Sequence, residues 1–165
     1  MLLKLAAVMT LESYLDADST SCVDDRDSTS GYVVFFFGGN LNFWSAKKQH
    51  LVARSSTESE FRALANVVAE IKWITSLLNE LHVKMPYYPV IWVDNQSVIA
   101  LAANLVFHAR SKHIEMDLYF VRDQILSVRY VLSLDLIANV LTKSLSTNIS
   151  TISSSNFKQL QPLYV

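Results

Sequence analysis

At 165 residues, with 51% hydrophobic residues and only three Gly and three Pro, the chain has the makings of one ordered domain with a sizeable core. A formal net charge of −1 supplies no global field for polyanions, so a nucleic-acid partner would have to be held by a local basic patch. The single cysteine, Cys22, excludes an internal disulfide and a Cys-rich zinc site and suits a reducing, intracellular compartment such as cytoplasm or nucleus. No run approaches the roughly 18 uninterrupted apolar residues that a membrane span requires. The start, MLLKLAAVMTL, resembles a secretory leader only faintly, because Lys4 interrupts the apolar run and no A-x-A-like cleavage site follows. Residues 1–10 are expected to be the remnant of a preceding segment, 11–145 a folded domain, and 146–165 a loose tail. Eight of the twelve residues from Ser144 to Ser155 are Ser or Thr, with no usable periodicity.

The elements follow in order. Leu11 to Asp16 reads as a strand, and the polar run Ser19 to Ser30 as a loop whose Asp24, Asp25, Arg26 and Asp27 are solvated. Gly31 to Phe37 is a β-branched and aromatic strand closed by Gly38-Gly39-Asn40, and Leu41 to Ser45 answers it, with Lys47-Lys48 leaving its end. Ser55 followed three residues later by Glu58 reads as a capping box that opens a long helix to His82, free of Gly and Pro. At about 100° per residue, one face of that helix carries Phe61, Leu64, Ala65, Val67, Val68, Ile71, Ile74, Leu78 and Leu81. After Pro86-Tyr87-Tyr88-Pro89, the run Val90 to Val93 is apolar at every position, as a strand covered on both faces would be, and it ends on Asp94. Helices over 96–104 and 111–127, a strand over 129–132 and a last helical turn or two over 136–143 complete the domain. The order of three strands, helix, strand, helices, strand, helix predicts an α/β fold: a mixed five-stranded sheet with helices packed on it.

Three carboxylates stand at element ends that could converge: Asp16 closing the first strand, Glu60 in the first turn of the long helix, and Asp94 closing the fourth strand. Glu60 falls inside the apolar arc, so it needs a partner; solvation at the helix mouth, favoured by the helix dipole, is the simpler account of the helix taken alone. Clustered carboxylates repel one another and are tolerated mainly where divalent cations neutralise them. Hard oxygen donors without nearby Cys or His suit Mg²⁺, with Mn²⁺ as a substitute, rather than zinc. Two such ions can activate a water and stabilise the leaving oxygen of a phosphodiester.

The wording of the segments is more specific. Tyr14-Leu15-Asp16-Ala17-Asp18, Asp25 to Tyr32, Trp44 to Gln49, Ala53 to Leu64, Val93 to Ser97 and Lys112 to Asp117 come in the order and spacing of one family. The chain resembles the ribonuclease H domain of copia-type LTR retrotransposon Pol polyproteins of the plant kind, from about Leu11 to Leu145. The resemblance implies the ribonuclease H-like fold, endonucleolytic hydrolysis of the RNA strand of an RNA–DNA hybrid, two Mg²⁺ ions, and the reverse transcriptase part of the same polyprotein as a partner. It matches Asp16, Glu60 and Asp94 to the first three metal-binding carboxylates, and this Asp, Glu, Asp order speaks against an integrase-like site.

The fourth family carboxylate falls on Asn139, within Leu136-Ile137-Ala138-Asn139-Val140-Leu141-Thr142-Lys143. An amide oxygen can ligate, but it brings no negative charge and cannot act as a base. Asp135, four residues earlier, would need a register shift to substitute. Further departures are Ser19-Thr20-Ser21 in place of Trp-Ala-Gly, Leu15 in place of Ser, Leu132 in place of Pro, and a shortened segment before the last strand. A non-catalytic remnant that keeps the fold, or a purely structural module, therefore stands beside the nuclease. Lys47, Lys48, Arg54, Arg110 and Lys112 are candidates for contacts with hybrid phosphates, or are ordinary solvated surface. His113 lies in a family motif and is a candidate accessory residue, with a surface or capping role as the simpler reading. Trp44, Trp73 and Trp92 could stack on bases, but Trp44 and Trp92 sit on strands and are expected in the core.

Overall fold

The computed structural model describes residues 9–18, 28–36, 40–49, 55–103, 112–124 and 126–142. Three antiparallel strands come first: β1 (Leu11–Asp18), β2 (Thr29–Phe36) and β3 (Asn40–Lys48). Helix α1 (Ser56–Glu80) crosses the sheet to β4 (Val90–Val93), which pairs parallel to β1, so the chain extends the sheet at the β1 edge rather than at β3, the strand it has just left. Helices α2 (Gln96–Ala103) and α3 (Lys112–Arg122) lead to β5 (Ser127–Tyr130), parallel to β4, and α4 (Asn139–Thr142) follows. The strand order is β3-β2-β1-β4-β5.

Period-two alternation sorts the central strands into two faces. Leu11, Leu15 and Ala17 of β1, Tyr32, Val34 and Phe36 of β2, and Ile91 and Val93 of β4 share one buried cluster with Phe61, Leu64, Val67, Val68, Ile71 and Leu78 of α1. Val98 of α2 and Leu118 and Val121 of α3 close it. Each such side chain contributes roughly 1.5–3 kcal/mol when fully buried, so this layer holds α1 against β1. On the other face Tyr14 stacks on Trp92 (centroids 6.3 Å, planes 21° apart) and meets Phe35 edge-on at 5.8 Å. There Trp92 donates its indole N–H to Glu12 at 3.2 Å, and the Arg129 guanidinium lies 5.9 Å from its ring.

Several boundaries differ from the sequence expectation. Strand β3 runs on through Lys48, because its ladder with β2 continues to Thr29↔Lys48. Lys47 and Lys48 are therefore strand residues rather than residues beyond its end. Leu81 is 63% exposed instead of core-facing: α1 stops at Glu80, and His82 takes a left-handed backbone (φ 59°) that turns the chain away. Trp44, expected in the core, is 63% exposed, since β3 is the edge strand. Helix α3 ends at Arg122 rather than running to 127, and β5 begins at Ser127, two residues before the expected 129.

Candidate active site on the sheet rim

The parallel pair β1 and β4 fixes the level of two carboxylates. Tyr14 and Trp92 are registered partners, and Asp16 and Asp94 each lie two residues further on, at the same end of adjacent strands. Asp16 is on the Tyr14 face and is only 3% exposed. A buried carboxylate needs donors, and the Thr142 hydroxyl supplies one to Asp16 Oδ2.

Glu60 comes from the first turns of α1, whose entry is fixed by Ser55: its hydroxyl accepts the Glu58 N–H at 3.2 Å. The Glu58 carboxylate holds Arg62 at 2.6 Å. Asn95 is a partner of Glu60: its Nδ2 donates to Glu60 Oε1 at 3.1 Å. Asn95 also accepts the Ser97 N–H on Oδ1 at 2.8 Å, so one side chain caps α2 and ties Glu60 to the residue after Asp94.

Asn139 opens α4 and donates Nδ2 to the Ser133 carbonyl, closing the turn in front of its own helix. The α4 side chain that hydrogen-bonds the buried carboxylate is Thr142. Close approach of α4 is possible because Gly31 lies opposite Asp16 in the β1–β2 ladder. A Cβ there would stand 2.7 Å from Leu141 Cβ and 2.9 Å from Thr142 Cγ2.

Of the basic candidates, Lys47 and Lys48 are exposed and border a groove of about 610 Å³ between β3 and α1, together with Tyr32, Gln49, Arg62, Glu70 and Asp117. Burial, reinforced by the Glu70 charge, pushes the Tyr32 phenol up to about 12. Burial also raises the Asp117 carboxyl, an effect that Arg62 opposes. The backbones of Lys112 and His113 open α3. Arg54 and Arg110 lie outside the described residues.

The donor chemistry of Asp16, Glu60 and Asp94 fits a hard divalent cation; the fold sets Asp16 and Asp94 level on neighbouring strands and bonds Glu60 to Asn95, the residue after Asp94. Among the described residues, no three Asp, Glu, His or Cys side chains stand close enough to hold one ion. One carboxylate oxygen of Asp16 accepts from the Thr142 hydroxyl, and one of Glu60 from the Asn95 amide. Thr142, Asn95 and Gly31 were not singled out from the sequence. Asn95 carried a signal, an Asn directly before a helix start, whereas Thr142 carried only its place beside Lys143 in the closing motif.

No family model matches the chain. It is 45% identical over 148 residues to the Retrovirus-related Pol polyprotein from transposon RE2 of Arabidopsis thaliana, covering 87% of this chain and 10% of that protein. It is 36% identical over 142 residues to the Pol polyprotein from transposon TNT 1-94 of Nicotiana tabacum, covering 84% and 10%. The chain thus spans about a tenth of the length of the relatives it matches. Among solved structures, LC11-RNase H1 in complex with an RNA/DNA hybrid superposes with a TM-score of 0.60 at 10% identity, covering 81% of this chain and 94% of that one. The sheet order and these likenesses agree: the chain has the ribonuclease H fold and belongs to the ribonuclease H domains of copia-type retrotransposon Pol polyproteins.

Proposed function

We propose that the domain is a divalent-metal-dependent endonuclease that hydrolyses the RNA strand of RNA–DNA hybrids during retrotransposon reverse transcription. The observation that supports this reading is the register that sets Asp94 level with Asp16 on neighbouring parallel strands, with Glu60 hydrogen-bonded to Asn95, the residue after Asp94. Asp16, Glu60 and Asp94 would hold Mg²⁺, or Mn²⁺ in its place. When bound, the cations supply the positive charge that activates water and stabilises a leaving oxygen. The chain's own part is to bury and orient Asp16 through Thr142 and Glu60 through Asn95, and to offer Lys47 and Lys48 to phosphates. The hybrid, and the reverse transcriptase part of the same polyprotein, are the partners this reading assigns. No described helix is long and apolar enough to cross a membrane.

A second reading, a fold-retaining remnant without catalysis, is favoured by one observation: Asn139 spends its amide on the Ser133 carbonyl and brings no fourth carboxylate. A labelled RNA–DNA hybrid incubated with the domain under Mg²⁺ titration separates the two. Hydrolysis that Asp94→Asn abolishes supports the nuclease; hybrid binding with no hydrolysis at any Mg²⁺ concentration supports the remnant.

A further inference from the structure

The carboxylate of Asp16 is buried, 3% exposed, near the end of β1, and carboxylate torsions have broad, roughly two-fold minima. Something must select its plane. Thr142 is suited to do so. It is 6% exposed and β-branched, so its χ1 has few choices. Its methyl lies over Gly31, where even a Cβ would come within 2.9 Å, and Gly31 is the ladder partner of Asp16. With the methyl lodged there, the hydroxyl is left pointing at Asp16 Oδ2, to which it donates; it also lies 3.4 Å from the Asn139 carbonyl. Asn139, one turn earlier, is committed to the Ser133 carbonyl.

We infer that Thr142 is a positioning residue of the carboxylate site: its hydroxyl fixes the orientation of Asp16, and α4 addresses the site through this hydroxyl while the Asn139 side chain closes its own turn. The inference rests on the nuclease reading for its consequence, since an oriented Asp16 matters most where a cation is to be bound. The physical role resembles that of hydrogen-bonding groups behind metal ligands, which set ligand geometry without touching the metal.

Thr142→Val keeps shape and methyl packing and removes only the donor; Thr142→Ser keeps the donor. Mn²⁺ binding to the full chain, measured by titration calorimetry without nucleic acid, should weaken about tenfold in Thr142→Val and stay within about twofold of wild type in Thr142→Ser. Unchanged Mn²⁺ affinity in Thr142→Val overturns the inference. A double-mutant cycle in metal-free protein gives an independent readout. Thr142→Val should shift the unfolding equilibrium at least about fivefold in the wild-type background and less than about twofold alongside Asp16→Ala. Equal effects in both backgrounds overturn it as well. Should wild-type protein neither bind Mn²⁺ nor cleave hybrid, the nuclease reading fails and the cycle alone decides the role of Thr142.

Discussion

The Asn95 amide donates to Glu60 Oε1 at 3.1 Å while its carbonyl oxygen accepts the Ser97 N–H at 2.8 Å, so a single side chain joins the starts of α1 and α2 at the rim. Asn95→Ala should destabilise the domain by about 1–2 kcal/mol through loss of the cap. Asn95→Asp should keep the cap but set a second carboxylate against Glu60, so its deficit should shrink when the pH is lowered enough to protonate either acid. Urea unfolding at about pH 7 and pH 4 measures both, and a pH-independent deficit in Asn95→Asp would show that the Glu60 link carries no weight.

Gly31 has no room for a methyl group. Gly31→Ala must push Leu141 and Thr142 outward, at a cost of about 1–3 kcal/mol for an overpacked contact. The displacement should fall on α4, so amide exchange of residues 139–142 should accelerate more than that of β1. Equal acceleration in both elements would count against a local effect.

Asp117 should be a liability at neutral pH. Its folded carboxyl is raised by burial, against the pull of Arg62, so the folded state binds its proton more tightly than the unfolded state. Stability is then greatest below the unfolded value and falls as pH rises through the window from 3.8 to the raised folded value. Asp117→Asn removes that loss. Its melting temperature should exceed wild type at about pH 7, with the advantage gone by about pH 3.

The Tyr32 phenol keeps its proton to about 12 in the folded protein, against 10.0 for the free side chain. Its contribution to stability is complete below pH 10.0 and is lost as the pH climbs toward about 12. Tyr32→Phe should therefore flatten the alkaline loss of stability while costing about 1 kcal/mol at neutral pH for the missing bond to Glu70. Tyrosinate absorbance and circular dichroism, followed together through the alkaline range, check both halves.

The legible parts of this fold were those set by local pattern. Val90 to Val93 declared itself because every residue is apolar and a Pro and an Asp bound it, and the observed strand has those limits. Ser55 announced the start of α1 through its cap. What stayed hidden depends on distant neighbours. Trp44 has the composition of a core strand, but edge position is decided by which strands pair, and no short window records that. Leu81 keeps the helical period of the core face yet lies past the point where the backbone turns at His82. The Thr142 bond to Asp16 spans 126 residues of sequence, and a lone hydroxyl in a polar-apolar stretch gives no hint of it. The need of Glu60 for a partner can be read from the helical period, but its bond to the Asn95 amide joins residues 35 apart and no local pattern records it.

Strand β1 is gripped on both edges, antiparallel to β2 and parallel to β4, through eight and three registered pairs. Side chains alternate along it, so sliding it by one position would exchange Leu15 and Asp16 between the oily layer and the rim. Point changes around such a strand can accumulate while the acid keeps its address. A one-residue insertion or deletion inside it would abolish that address at once, which makes length, more than composition, the property of β1 that any working copy must preserve.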